Sequence, residues 1–452
     1  MGESTAPTVM WFRRDLRLED NPALLEACDG SSDVLLLFVV DPHLWGPAGP
    51  ARRAYLAASL AALDESVGGR LVVRRGDPVE EVVRAAKEIG ARSVHVAADF
   101  GPYGSRRDED VASALAEEDI ELRRTGSPYA VAPGCVVNGS GEGYKVFTPF
   151  ARAWAEHGWR APAGGPSRPQ AWLEADSDGV PDAPVPEGMD LPEAGEKAAR
   201  RRWKDWLDRV ADYDTDRDRP DLDATSHMSV HLKWGEIHPR TLLADLAPLR
   251  SNGSASYRSE LSWREFYADV LHRNPETARE YLRREFAHME YDEPGDDLAA
   301  WQEGRTGYPI VDAGMRQLRQ TGWMHNRVRM IVASFLVKDL HLEWQHGARH
   351  FMHWLVDGDL ASNQHGWQWV AGCGTDAAPY FRVFNPTTQG AKFDPDGDYV
   401  RRWVEELAEV DKAYIHDPSK QPGGLPDGYP PPLLDHAEER REALARLERM
   451  KS

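Results

Sequence analysis

The sequence predicts an α/β parallel-sheet unit over residues 1–130 and a large all-helical unit over 196–452, joined by a connection at 131–195. Three observations predict this division. In the first stretch, short apolar or β-rich runs alternate with helical ones, the pattern of a parallel sheet covered on both faces. Between 131 and 195 the composition changes to Pro, Gly, Ala and acidic residues, as in RAPAGGPSRP and SDGVPDAPVPEGMDLP, which suits a connection crossing the surface. After 195 strand signals nearly vanish and apolar residues recur at helical spacing.

In chain order, the runs at 9–16, 33–41, 70–77 and 93–100 read as strands, with helices at 21–30, 51–68 and 78–90 between them. Gly76-Asp77-Pro78 is a turn into the last of these helices, with Asp77 as cap and Pro78 at its first position. The switch-point crevice of such a sheet is a generic ligand site. Neither GxGxxG nor a Walker loop occurs, so the usual dinucleotide and triphosphate signatures are missing. YKVFTPFARAWAEHG, inside the connection, supplies aromatics that dock on one unit or the other. Beyond it, helices are expected at 198–213, 241–249, 263–274, 275–286, 311–322, 327–340, 347–360 and 398–410. RMIVASFLV is apolar on nearly all sides and is expected to be a central buried helix.

With 452 residues, 41% hydrophobic and 28% charged, the chain has the composition of a soluble two-domain protein. The start lacks an apolar signal region, and no run is long enough to span a membrane, so a cytoplasmic monomer is expected. Cys28, Cys135 and Cys373 are widely spaced and outside any CxxC pattern, as in a reducing compartment. His346 and His350 are four apart, yet no HExxH or Cys/His spacing accompanies them, and no metal site is expected. No nucleophile elbow occurs either. The formal charge of −20 disfavours avid nonspecific nucleic-acid binding and leaves room only for a local basic groove.

The densest chemistry lies between Trp323 and Gly390, where Trp323, Trp344, Trp354, Trp367 and Trp369 mix with Asn326, Arg327, Arg329, Asp357, Asp359 and Asn363. Amides and charges among indoles suit a pocket for a large, flat, polar ligand; the alternative is a Trp-rich core with functional groups elsewhere. Asp357 and Asp359 either cap the turn after HWLV or read a ligand edge, with Arg329 a possible partner. Thr225 and Ser226 either cap the next helix or present hydroxyls and N–H groups to a phosphate. Glu260 and Arg264 stand at i,i+4 around Trp263, as a surface ion pair or as a carboxylate and indole offered to a heterocycle.

WFRRDLRLEDNPAL, TSHMS, ELSWREFY, WQEGRTGYPIVDAGMRQL, TGWMHNRVRMIVASFLVKDL, DGDLASNQHGWQW and YFRVFNPTTQG resemble, in order and over nearly the whole chain, the photolyase/cryptochrome family. The likeness is to its class I cyclobutane pyrimidine dimer DNA photolyases, and it implies light-dependent repair with noncovalent, reduced FAD. By resemblance, Tyr213, Thr225, Ser226, His227, Met228, Ser229, Arg329, Asp357, Gly358, Asp359 and Asn363 hold FAD, with Asn363 beside the flavin N5. Glu260 bonds the flipped dimer, Trp263 and Trp369 wedge against it, and Asn326, Arg327 and Met330 line its other side. Arg217, Arg264 and Gln389 resemble contacts to UV-damaged DNA. Enzymes for (6-4) photoproducts carry a pocket histidine pair where this chain has Asn326 and Met330, which points away from that substrate.

An antenna is also implied, of the deazaflavin (8-HDF) type, with methenyltetrahydrofolate as alternative. Phe38, Asp41, Arg52, Asp99 and Tyr103 would hold it, and Gly101 stands where an acidic contact is expected. Trp367 and Trp344 match the inner two members of the family's tryptophan relay, and Tyr291 stands at the outer place, with Asp292 or Glu293 as candidate proton acceptors.

Overall fold

Strands β1 (Thr8–Phe12), β2 (Asp33–Val40), β3 (Leu71–Arg75) and β4 (Ser93–Val96) form at the apolar runs, because each can be buried on both faces. Along β1 and β2, Met10, Phe12, Leu36 and Phe38 enter one hydrophobic cluster while Val9, Trp11, Leu35 and Leu37 enter another, as the two-residue period of a strand requires. This computed structural model describes residues 6–166, 171–375 and 381–451, so Tyr380, the first residue of the last motif, lies outside the described residues. Two further strands carry no apolar signal. β5 (Glu121–Arg124) is the charged sequence ELRR, and β6 (Ala171–Trp172) is a two-residue piece of the connection paired with Asp33 and Val34 of β2. The sheet is parallel in the order β3-β2-β1-β4-β5, which places its switch point between β1 and β4.

Helices α1 (Pro22–Gly30), α2 (Pro50–Ser66), α3 (Pro78–Glu88) and α4 (Pro102–Ala116) cover the sheet. α3 starts as expected: Asp77 accepts the Val79 N–H at 2.8 Å and Pro78 leads the first turn. α4 escaped the sequence reading because its first turns are charged. In the connection, α5 (Phe147–His157) buries Phe150 and Trp154 among Trp203, Trp206, Tyr257 and Phe266, so its aromatics dock on the helical side.

That side contains α6 (Glu196–Leu207), α7 (Met228–Trp234), α8 (Asn252–Arg273), α9 (Pro309–Thr321), α10 (Asn326–Lys338), α11 (Trp344–Trp354), α12 (Leu360–Ala371), α13 (Pro386–Phe393) and α14 (His436–Lys451). α10 is the central buried helix, with Val328, Ile331, Val332, Phe335 and Leu336 in the main cluster. The helix expected over 275–286 does not form. Two 3-10 turns, Pro275–Ala278 and Arg284–His288, flank an irregular stretch in which Leu282 N–H donates to Gln368 Oε1 at 2.8 Å and Arg283 N–H to the Cys373 carbonyl at 3.0 Å. These tertiary bonds replace helical ones. Over 398–410 the helix stops at Trp403 and a 3-10 turn, Glu405–Leu407, follows.

Buried polar groups seam the sheet region to the helices. The Glu236 carboxylate, fully buried, accepts from Tyr55 Oη at 2.8 Å, Ser59 Oγ at 2.6 Å and the Gly195 N–H at 2.6 Å, and pairs with His231 at 2.5 Å. Gly49 passes so close to the His353 carbonyl that a Cβ would lie 1.6 Å from its oxygen; no side chain fits there. No helix among the described residues is long and apolar enough to cross a membrane.

Candidate flavin and nucleic-acid site

Ser251 starts α8 by accepting the Ser254 N–H at 3.1 Å. From there Glu260, Trp263, Arg264 and Tyr267 fall on one half-open stripe while Leu261, Glu265 and Phe266 are buried behind them. Asp359 caps α12 through the Ser362 N–H at 3.0 Å, and Asn363, Gly366 and Trp369 make a second half-open stripe. α12 packs against both α8 and α10. Arg217 and Asp218, neighbours in the chain, then bridge these helices: Arg217 meets Glu260 at 2.7 Å, and Asp218 takes Arg327 on both oxygens at 2.8 Å. The bridge ties Glu260 to the start of α10.

Glu260 therefore pairs with Arg217, not with Arg264. Withdrawal from water raises its carboxyl above the usual range although Arg217 pulls it down. Arg264 turns inward, donating to the carbonyls of Pro128 at 3.0 Å and Leu232 at 3.3 Å and lying over Tyr129. That geometry corrects the expected Glu260–Arg264 ion pair. Trp263 lies flat on Phe147, ring centroids 3.6 Å apart, so one of its faces is already covered. Sequence reasoning missed Phe147 as a site residue, though the aromatic stretch containing it was the available signal. Asn326 is exposed at the first residue of α10, Met330 is half-buried beside the Arg327 guanidinium, and Trp369 and Gln389 are half-buried.

On α10, Arg329 donates to Asp357 Oδ2 at 2.9 Å and to the Met324 carbonyl at 2.7 Å. In the Asp-Gly-Asp turn, Asp359 is the cap and Asp357 is the partner of Arg329. Asp359 also takes Arg14 at 2.6 Å; burial alone would raise its carboxyl, but Arg14, Lys233 and Arg264 outweigh burial and hold it well below the usual range. Asn363 spends its Nδ2 on the Ala348 carbonyl at 3.1 Å and Gln364 Oε1 at 2.8 Å, which leaves its carbonyl oxygen free to accept.

In TSHMS, Ser226 is committed to Tyr257 at 2.8 Å and to the Met228 N–H at 3.2 Å, and the Met228 side chain is buried in the core. Both side chains are engaged within the fold. Thr225 and Ser229 remain open, Ser229 with only Trp323 Nε1 at 3.4 Å, and His227 stacks on Trp323. Tyr213 packs edge-on to Trp206 and Tyr257. Three observations fit a large flavin: the buried Asp357 Oδ1 has no partner, Asn363 offers an acceptor, and a Cβ on Gly366 would meet nothing within 4 Å.

Trp367 and Trp344 are buried, and the six-membered ring of Trp367 lies against Gly347, one turn from Trp344 on α11. Tyr291 is half-buried against the same core. At the carboxyl end of the sheet Tyr103 donates to Asp41 and stacks on His43, Phe38 is buried, and Asp99 meets Arg107 at 3.4 Å. Arg52 does not join them. Its guanidinium lies beside Gly358, with Nε buried and unpartnered, and burial next to Arg53 lowers it to about 10.

Comparison with known proteins matches residues 8–169 to the DNA photolyase family model and residues 257–449 to the FAD binding domain of DNA photolyase. The chain is 43% identical to the deoxyribodipyrimidine photo-lyase of Streptomyces griseus, over 98% of each chain. It is 38% identical to that of Escherichia coli K12, over 97% of this chain and 98% of that one. Among solved structures, a class III photolyase from Agrobacterium tumefaciens superposes with a TM-score of 0.94 at 37% identity, covering 100% of this chain and 99% of that one. An archaeal photolyase from Sulfolobus tokodaii, solved with two FAD molecules, gives 0.85 at 30%, over 98% and 100%.

Proposed function

The chain belongs to the DNA photolyase family, and from that premise we propose that it performs light-dependent repair of cyclobutane pyrimidine dimers in UV-damaged DNA, using FAD. The observation that carries this reading is the pair of contacts Arg217–Glu260 and Asp218–Arg327, which ties the half-open stripe of α8 to the start of α10, the helix that also carries Arg329 and its partner Asp357. Arg329, Asp357, Asn363, Thr225, Ser229 and Tyr213 would hold FAD, which when reduced and excited by light supplies and recovers the electron that splits the dimer.

The remaining work falls to the chain. The dimer must leave the stack, at an unstacking cost of a few kcal/mol that is lowest for a damaged site. Trp263, stiffened by Phe147, and Trp369 offer apolar walls to the extruded bases. Arg217 and Gln389 face the backbone. A phosphate that takes Arg217 frees Glu260 to hydrogen-bond the dimer, and the amide of Asn363 can accept a proton donor at the flavin without adding charge.

We assign 1–130 to an antenna unit and 196–452 to the catalytic unit of a cytoplasmic monomer. Class I is our inference from the motifs, held against the class III likeness in structure. For the antenna, the Asp41–Tyr103–His43 grouping supports 8-HDF; Arg52, turned to Gly358, supports it less, and methenyltetrahydrofolate remains the alternative. Purified protein should release about one FAD per chain on denaturation and split thymine dimers only in light. Flavin binding with no dimer splitting would instead mark a photosensor.

A further inference from the structure

The irregular stretch between Arg279 and Arg283 turns Tyr281 inward, where it is only 4% exposed. Its ring meets Trp344 edge to face with centroids 6.1 Å apart and lies nearly parallel to Tyr291 at 6.3 Å, and the two phenols are also hydrogen-bonded to each other. Its hydroxyl donates to Glu343 Oε1 at 2.9 Å. Glu343 immediately precedes Trp344 and is itself half-buried. A phenol thus touches both the middle relay tryptophan and Tyr291, already hydrogen-bonded to a base. Asp292, the acceptor expected from sequence, is instead tied to Arg446 at 2.8 Å. The competing exit, Trp301, lies 6.1 Å from Trp367 but is fully buried, its Nε1 donating to the Val332 carbonyl.

We propose that Tyr281 is the third redox member of the relay and that Glu343 is its proton acceptor, with Tyr291 an outer neighbour rather than the terminus. The inference rests on the flavin-dependent reading above. The oxidant is photoexcited oxidised flavin, whose demand for an electron reaches Trp344 through Trp367. Tyr281 gives one electron to the Trp344 radical cation, which returns to neutral tryptophan. At the same time the Tyr281 O–H bond breaks and its proton forms an O–H bond on Glu343 Oε1. The products are a neutral phenoxyl radical and a neutral carboxylic acid, and charge and protons balance. Burial, Tyr291 and Glu343 all tighten the phenol's hold on its proton, so a base in place is what makes this tyrosine oxidisable. Return of the electron then requires return of the proton, which prolongs the separated state.

The test is flash photolysis of FAD-loaded protein, read by transient absorption and by electron paramagnetic resonance. A neutral tyrosyl radical is expected in the native chain and in Tyr291→Phe, and is expected to be lost in Tyr281→Phe. Glu343→Gln should shorten the radical-pair lifetime by about a hundredfold, the scale of a lost proton acceptor, and abolish the solvent deuterium effect on Trp344 radical decay. Glu343→Asp should restore part of both. A tyrosyl signal that survives Tyr281→Phe, or kinetics indifferent to Glu343→Gln, would overturn the proposal while normal FAD stoichiometry leaves the functional reading standing. Protein that cannot be loaded with FAD would overturn both.

Discussion

Glu260 is held in a state that favours function over stability. Because burial raises its carboxyl above the ordinary 4.5, the folded chain binds that proton more tightly than the unfolded one. Its contribution to stability is therefore full below pH 4.5 and is lost as pH rises through the folded value. At neutral pH the ionised side chain is a burden, and Glu260→Gln should leave the thermal midpoint unchanged or raised. Repair per absorbed photon should fall about tenfold or more, since a hydrogen bond to a charged group contributes roughly 1.5–3 kcal/mol. Calorimetry beside a dimer-repair assay checks both limbs; a lower midpoint would show that the Arg217 pair stabilises the fold on balance. At this scale the sequence was legible where burial follows residue type, as for Trp344 and Trp367, which pack in the core. It was silent where a partner comes from far along the chain: nothing local says that Arg217 takes Glu260, or that Tyr281 lies on Trp344.

Elements were readable to the extent that their stability is local. α3 announces itself through Asp77 and Pro78, and α10 through its all-round apolar character. The stretch 275–286 has helical spacing yet obeys Gln368 and Cys373, and β5 and β6 gain their pairing from a sheet already formed. The 217–218 bridge between α8 and α10 is likewise visible only in three dimensions, and it carries a prediction. Arg217 and Arg327 are each engaged by a carboxylate, so under the proposed function a DNA phosphate that takes Arg217 exchanges for Glu260. Arg217→Ala should weaken binding to damaged and undamaged DNA alike and reduce the slope of log affinity against log salt by about one. Filter binding across a salt series measures it. A slope equal to the native one would place Arg217 off the backbone and make it a positioning partner of Glu260 alone.

The whole molecule, with a charge of −20, holds its sheet and helical regions together through a few buried polar contacts. Glu236 ties Tyr55 and Ser59 to Gly195 and His231, and Arg14 reaches from the loop after β1 to Asp359 at the head of α12. Asp359 therefore joins the two regions and caps a helix at once, beside the proposed flavin site. Its carboxyl is held below the ordinary 3.8, so the stability it supplies is present above that value and is lost as pH falls toward the folded one. Asp359→Asn separates these roles, because asparagine caps a helix about as well as aspartate does. Breaking a fully buried ion pair costs about 3–5 kcal/mol, and Arg14 is 26% exposed, so a loss of about 2–3 kcal/mol is expected at neutral pH. Denaturant midpoints of native and variant chains, both saturated with FAD, should differ by a constant amount from pH 7 to near 4 and converge below 3.8. A difference that persists unchanged into acid would assign the loss to the cap geometry and not to the charge that links the two regions.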